Sequence, residues 1–286
     1  MADPVNLVVQ GWRDLVEFEF LRRALVAGVI VGATCAVLSV YVVLKKLAFI
    51  GQGISHSAFG GVALGLLLFQ GTAHAAWGIN GSTLVFCLIV ALLIAATSRG
   101  RQVSEDTAIG IFLSVSMALG VLFVALRKQY STEVFGYLFG SILAVSPVDL
   151  AVIGGLSAVV LLSILAFQKE LYFFVFDEEG AQAAGMPVAL LHYGLLTLLA
   201  LTIVVSVKIV GIVLISAYLV IPGATALALA RRLPAMMAIS VGIGVVSSVA
   251  GLVLSNAFDI PSGATIVLTQ FALFVAAAAI RAIQSA

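Results

Sequence analysis

Residues 47–69 read LAFIGQGISHSAFGGVALGLLLF, an uncharged run with a histidine near its middle. This run has about the length that a helix needs to cross a bilayer. Gln52, Ser55 and His56 stand at positions i, i+3 and i+4, so a helix would place them on one face. Polar side chains at membrane depth usually face a protein interior or a water-filled path. The run therefore predicts a spanning helix whose polar face could line the path of a solute.

The composition places the whole chain in a membrane. Hydrophobic residues make up 63% of the 286 residues and charged residues 9%, whereas soluble domains carry about 25% charged residues. We predict an all-α polytopic membrane protein with about nine transmembrane helices, and the net charge of +1 gives no basis for nucleic-acid binding. The predicted spans are 24–44, 47–69, 79–98, 107–126, 148–167, 188–207, 209–230, 235–256 and 262–280.

The loops between these spans predict the orientation of the chain. Residues 1–23 mix charged and apolar side chains and are predicted to form an amphipathic interfacial segment, which leaves 24–286 as a single transmembrane domain. If nine spans alternate in direction, most lysines and arginines of the loops lie on the same side of the membrane. The positive-inside rule then places the N-terminus outside and the C-terminus in the cytoplasm. These basic residues are Lys45, Lys46, Arg99, Arg101, Lys169, Arg231, Arg232 and Arg281.

One apolar run is too short to cross. Residues 134–146, VFGYLFGSILAVS, lie between Glu133 and Pro147. A run of this length in a membrane protein indicates a re-entrant or interfacial segment. The alternative is the first part of a tilted span that continues into 148–167.

The chain lacks the usual sources of energy for transport. It has no G-x-x-x-x-G-K-[ST] phosphate loop, and no carboxylate lies deep in a predicted span. A transporter without either feature should take its energy from another subunit.

Residues 176–187, FDEEGAQAAGMP, could form the contact through which that other subunit acts. Asp177 is suited to cap a helix whose first turn holds Glu178 and Glu179, and Gly185 is suited to the position after its end. A helix of two turns is too short to be stable alone, so it should be docked against something. The alternative is a capped connecting turn that touches its own chain alone.

Residues 207–233 contain a proline within an apolar run. Pro222 removes a backbone hydrogen bond and should bend the seventh span, and the small residue Gly223 would permit close packing or a moving joint. The pair is a candidate kink or gate.

Five segments together carry a resemblance to a known family. In chain order they are KKLAFIGQGISHSAFGGVALG, YLFGSILAVSP, DEEGAQAAGMPV, VKIVGIVLISAYLVIPGATALALA and DIPSGATIVL. The chain resembles the integral membrane permease of the ABC metal-uptake family, whose members carry zinc, manganese or iron. The likeness extends over most of the chain.

This resemblance implies a subunit of a larger machine rather than an enzyme. It implies a permease in a bacterial inner membrane, paired as a dimer, most simply a homodimer, within the lipid. Two cytoplasmic ATP-binding subunits and an extracytoplasmic metal-binding protein would complete the importer, and no permanent cofactor is expected. The short helix would be the coupling helix that docks on the ATPase. Its expected residues are Asp177, Glu178, Glu179, Ala181, Ala184 and Gly185.

The resemblance also implies a role for His56. In many relatives an acidic residue stands at the position of Gln52, and it contacts the ion in transit together with the histidine. The amide of Gln52 is a weaker ligand for a cation than a carboxylate. The alternative for His56 is a hydrogen bond to a neighbouring carbonyl group that ties two helices together.

The sequence also allows other interpretations of its histidines and of its function. His192 is expected to anchor at the cytoplasmic interface, and His74 lies in a predicted external loop before Asn80, where it would either meet an incoming ion or be solvated. A permease for a metal chelate or another small solute is the alternative function. An intramembrane enzyme with His56 as base is a remote one, because the sequence offers it no partner carboxylate at membrane depth.

Overall fold

The computed structural model of the protein describes residues 4–69, 71–72, 75–99, 103–127, 136–138, 140 and 145–285. Within these ranges every regular element is a helix. In chain order the helices are α1 (Pro4–Glu17), α2 (Glu19–Leu44), α3 (Ile50–Phe69), α4 (Ala75–Arg99), α5 (Glu105–Leu126), α6 (Pro147–Ala166), α7 (Gln168–Phe176), α8 (Glu178–Ala183), α9 (Val188–Val210), α10 (Ile215–Tyr218), α11 (Ile221–Leu229), α12 (Leu233–Phe258) and α13 (Ser262–Ser285).

Eight helices in the described ranges are long and apolar enough to cross a membrane. They are α2, α3, α4, α5, α6, α9, α12 and α13, and they coincide with eight of the nine predicted spans. The prediction of an all-α polytopic membrane protein is confirmed.

The seventh predicted span, 209–230, is not one continuous helix. Helix α9 ends at Val210, and Gly211 has φ 87°, a left-handed conformation that glycine adopts without strain. The backbone N–H groups of Ile212 and Val213 then donate to the carbonyl oxygens of Tyr137 and Leu138, at 3.0 and 3.2 Å. Because these N–H groups find partners in a distant segment, the chain can run unwound here before α10 begins.

A second interruption follows α10. The break lies at Leu219 and Val220, just before α11. Pro222 lies in the first turn of α11, where a backbone N–H would have no partner within the helix. The lack of an N–H in proline therefore costs no hydrogen bond there. Pro222 therefore helps to start a helix rather than bending a continuous one as predicted.

The run 134–146 lies mostly outside the described residues. Its described part is 136–138, 140 and 145–146. Gly140 has φ 75°, and a Cβ added to it would lie 2.4 Å from the carbonyl oxygen of Ile209. Together with the hydrogen bonds from Ile212 and Val213, this contact places Tyr137, Leu138 and Gly140 against the unwound chain that follows α9.

The long helices form two packed groups. Helix α3 packs against α4 and α5, while α2 packs against α6, α11 and α12, and α13 packs against α11 and α12. Helix α9 contacts members of both groups, including α4, α3 and α2. Glycines permit the closest approaches, since a Cβ at Gly61 would lie 2.6 Å from the Cα of Thr83 in α4. This packing places α9 between the two groups.

The crossing of α2 and α12 yields a stability prediction. A Cβ at Gly32 would lie 2.4 Å from Ser248 Oγ and 2.6 Å from the Gly244 carbonyl oxygen. We expect Gly32→Ala to separate the helices at a cost of about 1–3 kcal/mol, measured as a lower melting temperature in detergent. Gly28→Ala is the matched control, because the nearest atoms lie 3.9 Å from its added Cβ. Equal melting temperatures for the two variants would contradict the close crossing.

The N-terminal helix α1 packs on the bundle. It contacts α12 and α2, and its Leu15 side chain is fully buried. Asn256 Nδ2 donates to Asp14 Oδ2 at 3.3 Å, while Trp12 and Val16 are exposed. Helix α1 is thus amphipathic, and residues 19–23 of the predicted segment 1–23 belong to α2, the first spanning helix.

Candidate functional site

Helix α3 begins at Ile50, which sets the depth of the polar residues. His56 lies six residues further along α3, or about 9 Å along the helix axis. Residues 45–49 form the turn after α2, so α3 begins three residues later than the predicted span 47–69. Gln52 and His56 therefore occupy the first two turns of α3.

The predicted polar face divides into two parts. Gln52 is exposed and His56 is partly buried, so both reach the open surface of the chain. The Ser55 side chain is fully buried, and its hydroxyl donates to the Gln52 carbonyl oxygen at 3.0 Å. The expectation that Ser55 shares the face of Gln52 and His56 is wrong, since Ser55 points into the protein.

The imidazole of His56 does not use all of its hydrogen-bonding capacity. Its Nδ1 atom is buried, and within the described part of the chain it has no hydrogen-bond partner. The alternative role, a histidine that ties helices together through a carbonyl group, finds no such bond at this nitrogen. Because Nδ1 is itself shielded, a passing ion or its water shell would meet the partly exposed edge of the ring.

One chain supplies an incomplete ion site. The described residues contain no group of three His, Cys, Asp or Glu side chains able to hold a metal. Gln52 and His56 offer one amide oxygen and one imidazole, fewer ligands than a first-row metal ion takes in a closed site. Such a pair can make a transient contact, and further ligands must come from water or from another chain. His74, the other candidate on the path, lies outside the described residues.

The short helix predicted at 176–187 is present as α8, Glu178–Ala183. Asp177 Oδ1 accepts a hydrogen bond from the Gly180 N–H at 2.8 Å, as expected of a helix cap. At the other end Gly185 has φ 78°, and the Met186 N–H donates to the Ala181 carbonyl oxygen at 3.0 Å. The caps expected from the sequence therefore define both ends.

The predicted coupling residues differ in their exposure. Ala181 is fully buried against the protein, so it holds α8 in place and offers no docking surface. Glu179 and Ala184 are exposed, as are Gln182, Ala183 and Gly185. A partner that contacts α8 would meet these exposed residues.

Three contacts around α8 are not predicted by the sequence. Glu178 forms an ion pair with Lys45, whose Nζ also lies 4.3 Å from the centroid of the Phe174 ring. His192 is 8% exposed, and its Nδ1 lies 3.8 Å from Glu105 Oε1. His192 is thus packed inside the protein rather than anchored at an interface as expected. Lys45 and Glu178 are 133 positions apart, and no local sequence pattern pairs them.

These contacts also fix which helix ends lie together. The end of α2, the start of α5, the start of α9 and all of α8 meet at one end of the bundle. The predicted alternation of spans places these same ends on one side. Glu105, Glu178, Gln182 and His192 line a polar cavity of about 620 Å³ there.

Pro222 and Gly223, the candidate kink or gate, lie against α2. The Gly223 N–H donates to Ser39 Oγ at 2.8 Å, and a Cβ at Gly223 would lie 2.4 Å from the Ser39 carbonyl oxygen. Just before them, Leu219 packs next to Gly51, where an added Cβ would meet Leu219 Cδ1 at 3.3 Å. The break between α10 and α11 therefore borders α3 one residue before Gln52.

Comparisons with known proteins agree with one another. The sequence model of the family described as the ABC 3 transport family matches residues 17–281. The manganese transport system membrane protein MntC of Halalkalibacterium halodurans is 38% identical over 264 residues, which cover 92% of this chain and 88% of that protein. The chelated iron transport system membrane protein YfeD of Yersinia pestis is 35% identical over 91% of this chain and 85% of that protein.

A solved structure is similar over nearly the full length. It is described as PsaBC from Streptococcus pneumoniae in complex with Fab, and the matched chain has a TM-score of 0.83 and 36% sequence identity. The match covers 94% of this chain and 95% of that chain.

Proposed function

Since the chain belongs to the ABC 3 transport family, we propose that it is the membrane-spanning permease of an ATP-driven importer that moves a divalent metal ion into the cytoplasm. The observation that carries the ion path is the open face of α3, where the partly exposed His56 lies beside the exposed Gln52. The relatives' names favour manganese or iron over zinc. ATP-dependent metal uptake by the reconstituted complex is the test.

A second permease chain, most simply a second copy, completes the path. Gln52 and His56 lie at the surface of the single chain, where they would meet lipid if the chain stayed alone. Polar side chains are costly in lipid, so this face should be covered by protein. In a symmetric dimer each copy would offer the same pair, which doubles the ligands available to the ion.

The energy comes from separate cytoplasmic ATP-binding subunits, which dock on α8. The chain itself lacks the G-x-x-x-x-G-K-[ST] motif that holds ATP phosphates. The exposed side of α8, with Glu179 and Ala184, supplies the contact, and Ala181 fixes the helix to the permease. An extracytoplasmic binding protein delivers the ion at the opposite end of the bundle.

The interrupted seventh crossing is the moving part of this mechanism. Its second break, Leu219–Val220, lies next to the start of α3, so a shift of α10 relative to α11 would change the surroundings of Gln52. Pro222 and Gly223 mark the fixed side of this joint, since Gly223 is hydrogen-bonded to α2.

The orientation can be tested by labelling in the bacterial inner membrane, where we place the protein. We expect a thiol at Thr72 to react from the outside and a thiol at Gln182 from the cytoplasm, since both residues are exposed at opposite ends of the bundle. The background should lack Cys35 and Cys87, which are fully buried. Reaction of both thiols from the same side in intact cells would refute the orientation.

The rival function is the permease of a metal chelate. The name of the relative from Yersinia pestis, a chelated iron transport protein, keeps this rival open. Competition between a free ion and its chelate in the uptake assay separates the two.

A further inference from the structure

Lys45 joins the coupling helix to the helix of the ion path. Its Nζ forms an ion pair with Glu178 in the first turn of α8 and lies 4.3 Å from the centroid of the Phe174 ring. The Lys45 side chain is 13% exposed, and Phe174 is fully buried. The Glu178 side chain is 50% exposed, so the pair is shielded from water on the lysine side alone, and the ring adds a further attraction for the ammonium group.

The turn that follows Lys45 is short and firmly held. Lys45 ends α2, and its N–H donates to the Tyr41 carbonyl oxygen at 2.9 Å. The Leu47 N–H donates to the Val42 carbonyl oxygen at 2.9 Å, and the Leu47 side chain is buried. The Ile50 N–H then donates to the Leu47 carbonyl oxygen at 3.0 Å, which joins the turn directly to α3.

This geometry gives a continuous connection from α8 to the ion path. Gln52 follows Lys45 by seven positions, and Gly51 packs against Leu219 at the break in the seventh crossing. A displacement of Lys45 therefore moves the first turn of α3 relative to α10. The contacts are packed or hydrogen-bonded at each step, so the connection is not a loose tether.

We propose that the ion pair between Lys45 and Glu178 transmits the movement of α8 to α3, and so couples ATP hydrolysis to the opening of the ion path. The inference depends on the proposed function, in which α8 docks on the ATPase. Lys45 is a positioning residue here, because it acts on the ion through the turn and α3 rather than by contact.

The test uses the complete complex in proteoliposomes, with metal uptake, ATP hydrolysis and ATPase binding measured on each variant. Lys45→Met keeps the aliphatic stem over Phe174, and Glu178→Gln keeps the shape of the carboxylate. Each should leave the ATPase bound and active but lower the metal imported per ATP hydrolysed by about tenfold, a usual size for coupling between sites. The melting temperature of the permease should stay unchanged.

Two further variants make the result specific. The charge exchange Lys45→Glu with Glu178→Lys should restore a large part of the lost uptake per ATP, which neither exchange achieves alone. Lys46→Met is the matched control, because Lys46 is the adjacent lysine and is exposed. It should keep the wild-type ratio.

The outcomes separate this inference from the proposed function. A wild-type uptake ratio in Lys45→Met, or a fall equal to that of Lys46→Met, would overturn the inference. A loss of ATPase binding in Lys45→Met and Glu178→Gln would also overturn the inference, because the pair would then belong to the docking surface. If Ala184→Glu also left ATPase binding and uptake intact, α8 would not be the docking site and the proposed function itself would fail.

Discussion

Replacing Ala184 by glutamate should abolish metal uptake while the permease remains folded and in the membrane. Ala184 is exposed at the end of α8, where the ATPase is proposed to dock. A charge trapped in that interface without a partner costs several kcal/mol, so ATPase binding should weaken by about a hundredfold or more. Co-purification of the ATPase and ATP-driven uptake are the measurements.

Two further variants serve as comparisons for this result. Ala235→Glu makes the same change at an exposed position in the first turn of α12, where the helix dipole favours a carboxylate. It should leave ATPase binding and uptake near wild type. Ala181→Glu should instead unfold α8, because Ala181 is fully buried, and it should raise protease cleavage in 176–187. Normal uptake by Ala184→Glu would reduce α8 to a connecting turn.

Replacing His56 by alanine should lower uptake by about tenfold or more, the cost of losing a charge-assisted contact of 1.5–3 kcal/mol. His56 Nδ1 has no hydrogen-bond partner among the described residues, so its removal leaves no polar group newly unpaired. The melting temperature should therefore stay close to wild type. Metal uptake and thermal unfolding should be measured on one membrane preparation.

Gln52→Asp and Ser55→Ala complete this test. If Gln52 lines the ion path, an aspartate there should be tolerated because water and the ion solvate it, and it should favour the harder manganese ion because it supplies an anionic ligand. Ser55→Ala removes a buried hydroxyl beside the pair and should keep uptake. A stable His56→Ala protein with normal uptake would remove His56 from the path. Loss of stability without loss of uptake per folded molecule would assign it a structural role.

Local signals explain what the sequence could predict. Eight spans follow from hydropathy and length alone, because a helix in lipid must satisfy its backbone internally over a fixed thickness. Helix α8 follows from Asp177 at its start and Gly185 after its end, and both caps lie within ten residues of each other. Each of these signals lies within one continuous segment of the sequence.

Long-range contacts explain what the sequence could not predict. The seventh predicted span is unwound at its start because Tyr137 and Leu138 supply hydrogen-bond acceptors more than seventy positions before Ile212 and Val213. The pairing of Lys45 with Glu178 and the burial of Ser55 likewise depend on which helices are neighbours. A linear pattern does not contain that information, so the sequence identified the candidate residues but not all of their partners.

The most direct measurement is uptake by the purified permease reconstituted with its ATPase and binding protein, given Mn²⁺, Fe²⁺ and Zn²⁺ in parallel, with and without ATP. We predict that at least one free ion accumulates only when ATP, the ATPase and the binding protein are all present. An excess of a chelator should abolish that accumulation. Accumulation of the chelate alone, or metal entry that ignores ATP, would contradict the account.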